Sequence, residues 1–389
     1  MIQLPAFHFR RSHIWPAAVV LFLYLMLGAL YLNHYDWNVG AFSRIGQGSS
    51  IGQLFSNDGI YLVPPGAGYD GQFYYVLARR PFDFETVSRV IDFPAWRYQR
   101  IVYPLTVWFL SLFGHATLVA LFLPLVNIVS VGMSVYLLGR LLERYALNPW
   151  LSLLYGLSPG LIFSFFYNLA EPLAYFFVIA AVYYFLNNRF IRSTIFLTIA
   201  ALTKEICLLV AVGFMLFLLL TRPSGYFKKV LLYAVPVVVF ITWLIVLKIL
   251  FSAGTYAPIV DFNLGMPFAG FMIKVKLLFA SQASFHTLLD VFFYFISLVG
   301  AIFIVNNFFR GPTIYTTIGV LYVALAITFA PTLLLFPKEY TRNFIGLSLF
   351  LFLSYPLTKS KATLILLAGY VLSGVLYFSE MFFFRNIFY

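Results

Sequence analysis

From Trp15 to Leu32 the chain runs without a charged residue, and further apolar runs follow at roughly 117–138, 149–167, 172–187, 193–203, 206–221, 230–251, 286–307, 313–335, 343–357 and 362–383. A helix needs about 20 mostly apolar residues to cross a hydrocarbon core of about 30 Å. The pattern predicts an all-α, polytopic membrane protein. Arg10 and Arg11 precede the first run and no small-residue cleavage pattern follows it. That run therefore reads as a retained signal anchor with the N-terminus on the cytoplasmic side.

The short connections carry the basic residues: Arg140 and Arg144, Arg189 and Arg192, then Arg222, Lys228 and Lys229, Arg310, and Lys359 and Lys361. If these face the cytoplasm, every second connection does so, as positive charge bias directs. Residues 33–100 then form a long first external loop. It holds six acids (Asp36, Asp58, Asp70, Asp83, Glu85, Asp92) and six arginines (44, 79, 80, 89, 97, 100). Glycines and prolines break its first half, and its second half suits short interfacial helices.

Residues 101–113 are apolar but span only some 20 Å as a helix, so a re-entrant or interfacial helix is expected there. About eleven crossings result, one before the loop and the rest after it. Residues 191–221 carry basic residues at both ends and Lys204-Glu205 in the middle. Its first arm reaches only about 17 Å, which would leave that charged tip below the outer surface.

Composition agrees with the pattern. Hydrophobic residues make up 62% and charged residues 10%, with a mean hydropathy of +0.92, whereas soluble domains are about one quarter charged. The formal net charge of +12 is spread over loops rather than gathered on one basic face, which excludes nucleic acid as the partner. The single Cys207 excludes an internal disulfide. The five histidines, at 8, 13, 34, 115 and 286, have no metal-ligand spacing.

In this register the remaining ionisable residues gather on the outer side, where charge at membrane depth is paired, hydrated or functional. In Gly68-Tyr69-Asp70-Gly71-Gln72-Phe73-Tyr74-Tyr75, Asp70 reads as a general base or metal-holding carboxylate flanked by tyrosines able to stack on a sugar. The other reading is a turn that caps a helix starting near Gln72. Arg97 and Arg100 suit a phosphate with their forked guanidinium groups, or anchor an interfacial belt with Trp96, Tyr98 and Tyr103. Glu171 either serves the site or caps a helix that Pro172 opens. Lys204 and Glu205 pair with each other or with Glu171, or help to bind an anionic donor. Arg342, in the 336–343 outer connection, is a further candidate anion ligand.

In this order the blocks 68–75, Arg97 to Ile101 with Tyr103-Pro104, Glu171-Pro172, Leu202-Thr203-Lys204-Glu205, and Tyr340 with Arg342 resemble the GT-C membrane glycosyltransferases that use polyprenyl-phosphate sugars. More closely, they resemble a bacterial family of predicted cell-surface glycopolymer formation proteins, related to mannosyltransferase-like membrane enzymes. The resemblance implies one GT-C-like domain in the bacterial plasma membrane with its site facing the exterior. It implies inverting transfer of a sugar from a polyprenyl-phosphate donor to a glycan or lipid acceptor.

Carried over residue by residue, it makes Asp70 the catalytic residue. Tyr69, Gln72, Tyr74, Arg97, Tyr98, Arg100, Glu171, Lys204, Glu205 and Arg342 become substrate-binding residues. It also admits a divalent cation, Mg or Mn, with Asp70 as ligand. Such enzymes often carry paired acids, whereas the neighbours of Asp70 are Tyr69 and Gly71, and Lys204 stands where the family usually has Arg. The alternatives are a transporter or flippase of lipid-linked sugars and a non-catalytic subunit of envelope glycopolymer assembly.

Overall fold

The computed structural model describes residues 11–251, 263–280 and 284–383; Arg10 of the expected N-terminal basic pair lies outside them. The fold is all-α, with 77% helix. Named strand among the described residues is limited to the parallel pairing of Ile45–Gly46 with Leu62–Val63. Helices suit so apolar a chain because each satisfies its own backbone groups where water is absent.

Among the described residues, five helices are long and apolar enough to cross a membrane: Ile14–Asn33, Ala116–Arg144, Tyr226–Leu250, Phe285–Arg310 and Lys361–Glu380. A sixth arises if Pro149–Gly156 and Pro159–Phe166, bent by 54° at their junction, form one span. The apolar run 149–167 is thus not one straight helix. Pro159 lacks an N–H and disfavours helical geometry at Ser158, so the chain breaks there.

Glu171–Leu186, Phe190–Thr203, Glu205–Thr221, Ile314–Ala326 and Ile345–Thr358 are apolar but shorter, at 10–17 residues. The expectation of about eleven crossings needs these as well. The run 313–335 yields only Ile314–Ala326 as α-helix, since Phe329 pairs with Leu264 and a 3-10 turn opens at Pro331. Val102–Leu110 has nine residues, about 14 Å, which is too short to cross.

The helix ends sort into two poles. His13 and Ser12 bond to Glu143 at 2.7 and 2.5 Å, and Arg144 donates to the Leu186 carbonyl at 3.1 Å. The start of the first helix therefore meets the ends of Ala116–Arg144 and Glu171–Leu186. Glu171, one helix length from Leu186, lies at the other pole with the long loop.

Within that loop, Asp58 accepts from Arg79 Nε and Nη2 at 2.8 and 3.1 Å and from the Tyr75 hydroxyl at 2.9 Å. This fixes the helix Gly71–Arg79 against the 50s segment. Trp243 Nε1 donates to the Tyr98 carbonyl at 3.0 Å, tying the loop to Tyr226–Leu250.

Two glycines bring site-bearing segments together. A Cβ on Gly71 would lie 2.3 Å from the Tyr167 carbonyl oxygen and 3.0 Å from that of Ser43. One on Gly160 would lie 2.4 Å from the Thr341 carbonyl oxygen, so the helix Pro337–Asn343 rests directly on Pro159–Phe166. Because these neighbours are backbone, Gly71→Ala forces the loop away from the 167–170 turn. The expected cost is about 1–3 kcal/mol, read as a lower thermal midpoint in detergent. Gly311→Ala, with open space around it, leaves the midpoint unchanged.

Candidate functional site

Asp70 immediately precedes the helix Gly71–Arg79, yet its side chain caps nothing. Its carboxylate turns away from the backbone and accepts from Arg97 Nη1 at 3.1 Å on one oxygen and from Arg342 Nη1 at 3.0 Å on the other. The turn-capping reading therefore gives way to a carboxylate clamped between two guanidinium groups. Both arginines are held in turn. Arg97 donates to both oxygens of Asp92 at 2.9 and 3.1 Å, and Arg342 donates to Glu339 at 2.5 Å. The Arg97 guanidinium lies 3.7 Å from the Phe73 ring centre and 4.5 Å from that of Trp96, a stacking that fixes its plane.

Next to this clamp, Arg100 grips Glu205 with two bonds at 2.8 and 2.6 Å, and Lys204 donates to Glu171 at 2.7 Å. The lysine-glutamate pair is almost fully enclosed, with side chains 7% and 2% exposed. Glu171 begins its helix one residue before Pro172 and is not the cap. Its carboxylate serves Lys204 instead, and Arg342 and Arg100 lie within electrostatic reach of it. Arg100 and Arg97 are thus buried ion-pair members rather than a surface anchor belt. Segments from residues 70 to 342 converge here, and their four cations are already answered by Asp70, Asp92, Glu171, Glu205 and Glu339.

The other sequence candidates divide. Tyr69 donates its hydroxyl to Glu339 and packs on Tyr167, with ring centres 4.6 Å apart. Tyr74 is buried beside Arg100 and meets Tyr103 edge to face. Gln72 instead faces the other way, its Oε1 accepting from the Gly46 amide at 3.5 Å. Tyr98 is a core residue: its hydroxyl donates to the Pro81 carbonyl at 3.1 Å and its ring packs on Phe84 and Phe251.

As arranged, this site does not suit a divalent cation. Both Asp70 oxygens are committed to guanidinium groups. Among the described residues no three His, Cys, Asp or Glu side chains are grouped to hold a metal ion.

Burial raises the Asp70 pKa, but Arg342, Arg97 and Arg100 together outweigh it and hold the carboxyl well below the usual carboxylate range. A lowered folded-state pKa stabilises the fold above the unfolded value, about 3.9, and that gain is lost as pH falls through the window below it. The difference in thermal midpoint between the native protein and Asp70→Asn should therefore stay constant from about pH 5 to pH 8 and shrink below about pH 4. A pH series of melting curves in detergent checks this.

A second charged group lies beyond the Tyr69 ring and was not singled out from sequence. Lys274 donates to Asp290 at 2.7 Å and to the Leu335 carbonyl at 2.9 Å, and Tyr377 donates to Asp290 at 3.1 Å. Tyr340 also bonds Asp290, and His286 bonds Glu380 at 2.9 Å. The signal was present: Asp290 and Glu380 fall inside apolar runs, where a carboxylate is costly. Lys274, His286, Asp290, Tyr377 and Glu380, with Arg44 and Lys338, line a cavity of about 570 Å³. No protein family, curated protein or solved structure matches this chain.

Proposed function

We propose that this chain is a GT-C-type glycosyltransferase that moves a sugar from a polyprenyl-phosphate donor to a glycan or lipid acceptor at the outer face of a bacterial plasma membrane. In this reading the five shorter apolar helices also cross or enter the bilayer, giving about eleven crossings with the N-terminus cytoplasmic. The observation that carries it is the clamp on Asp70: a part-buried carboxylate just ahead of the helix Gly71–Arg79, held between two arginines brought from residues 97 and 342.

The chemistry balances without a metal-borne step. The acceptor oxygen forms a bond to the anomeric carbon as the bond from that carbon to the phosphate oxygen breaks. The phosphate departs with the electron pair, and Asp70 takes the acceptor proton. Arg342 and Arg97 stabilise the charge developing on the leaving phosphate. As long as both arginines hold Asp70 it is a weak base. Their exchange from carboxylate to phosphate raises its basicity at the moment the donor is seated. Arg100 with Glu205, and Lys204 with Glu171, fix the floor beneath this exchange.

The experiment is mass spectrometry of polyprenyl-linked sugars and envelope glycans in a strain lacking the chain. Accumulated donor beside a glycan missing one sugar supports transfer, and an unchanged profile overturns it. The break between Pro149–Gly156 and Pro159–Phe166 favours a second reading, a transporter of lipid-linked sugars, because transporters use discontinuous helices at their sites. That reading predicts the lipid-linked sugar confined to one leaflet of the membrane in the deleted strain.

A further inference from the structure

The cavity beside Tyr69 differs in charge from the Asp70 clamp. Its lining carries Arg44, Lys274 and Lys338 against Asp290 and Glu380, with His286 besides. The Lys274 charge is answered by Asp290. Lys338 is different: its ammonium lies over the faces of Tyr69 and Tyr167, 4.4 and 5.8 Å from the ring centres, and it makes no ion pair among the described residues. Burial pushes its pKa below the ordinary lysine value, Glu339 acting in the opposite direction. An anion brought to this wall would therefore relieve a cost that the protein now carries.

At Leu278 the cavity adjoins a groove of about 590 Å³ between Ala269–Ala280 and Phe285–Arg310. The groove is lined by hydrocarbon and aromatic groups such as Phe271, Val275, Phe295 and Leu298. Its hydroxyls are already engaged. Tyr294 donates to the Leu334 carbonyl at 2.7 Å, and Ser297 donates to the Phe293 carbonyl and accepts from Tyr370 at 2.9 Å. Such a lining has nothing to offer a polar guest. Phe279 and Phe295, 87% and 61% exposed, open it toward the side of the bundle.

We infer that the cavity and groove are one site for a single-chain lipid phosphate, its head on Lys338 and Arg44 and its chain passing Leu278 into the groove. A charged pocket continuous with an apolar channel fits an amphiphile whose two ends differ in the same way. Binding here is independent of the transfer reading. If transfer holds, the lipid phosphate docks one tyrosine ring from the clamp, since the Tyr69 ring that Lys338 contacts also has the Arg342 guanidinium 5.5 Å from its centre. Arg342, rather than Arg100 or Lys204, is then the residue that receives it.

The test uses the full chain in detergent micelles and a diazirine-bearing farnesyl phosphate. Cross-links mapped by mass spectrometry should concentrate on peptides covering 268–279 and 291–301. Unlabelled farnesyl phosphate should compete, with farnesol about tenfold weaker and inorganic phosphate without effect at the same concentration. Lys338→Met should weaken binding about tenfold, the equivalent of one charge-assisted contact, Lys338→Arg should retain it, and Ala301→Trp should block it. Cross-links spread evenly over all apolar helices, equal competition by farnesol, or full binding by Lys338→Met overturn the site. Binding of farnesyl phosphate is read without any transfer reaction, so a failure of the transfer reading leaves this result standing and the reverse also holds.

Discussion

Asp70→Asn is expected to lower sugar transfer by about 10²–10⁴-fold, the range of a lost general base, while the protein stays folded in the membrane. The substitution keeps the size of the side chain and removes its charge and its capacity to take a proton. The structure around it is buffered against the loss, because Arg97 keeps both bonds to Asp92 and Arg342 keeps Glu339. Neither arginine is left without a carboxylate, so the variant separates chemistry from folding. Transfer from a purified lipid-linked donor, with donor binding measured in parallel, should show a fall in turnover with binding retained. Asp70→Ala should behave alike, with a further loss from the space it opens. Full transfer by both variants removes Asp70 from the reaction.

Apolar runs located the helices because a bilayer or a bundle core demands uninterrupted apolar length, and the run 230–251 became Tyr226–Leu250 almost unchanged. The break at Ser158 was written in Pro159 but masked by the apolar residues on either side. Glu171, Lys204, Glu205 and Arg342 were visible as charges within or beside apolar runs, Asp70 as an acid set among glycine and tyrosines, and Arg97 as one of two arginines at the entry to an apolar segment.

Their partners were not visible, since pairing depends on which loops meet. Glu205 was a candidate partner for its neighbour Lys204 and instead holds Arg100, 105 residues away. Tyr98 became a candidate ligand only through the resemblance carried by its block, Arg97 to Ile101, and the local helix turns its ring into the core. Lys274, His286, Asp290 and Glu380 escaped because each is a single ionisable residue within or beside an apolar stretch, and only the packing of three helices makes them a group.

Lys204→Met should produce the largest loss of stability of any single substitution near the site. The Lys204 and Glu171 side chains are enclosed, and Glu171 Oε2 already has no hydrogen-bond partner among the described residues. Removing the ammonium leaves a buried carboxylate with neither oxygen satisfied, a change that costs about 3–5 kcal/mol. Arg342 and Arg100 also act on Glu171, and each would have to abandon Asp70 or Glu205 to replace the ammonium. Loss of transfer should therefore accompany loss of stability. Lys204→Met combined with Glu171→Leu removes both charges and should recover most of the thermal midpoint in detergent, because an apolar pair of similar volume avoids the desolvation cost altogether. The coupling read from the double-mutant cycle is the measure. If the single variant melts with the native protein, the pair is hydrated rather than enclosed, and the floor assigned to the site beneath Asp70 is not there.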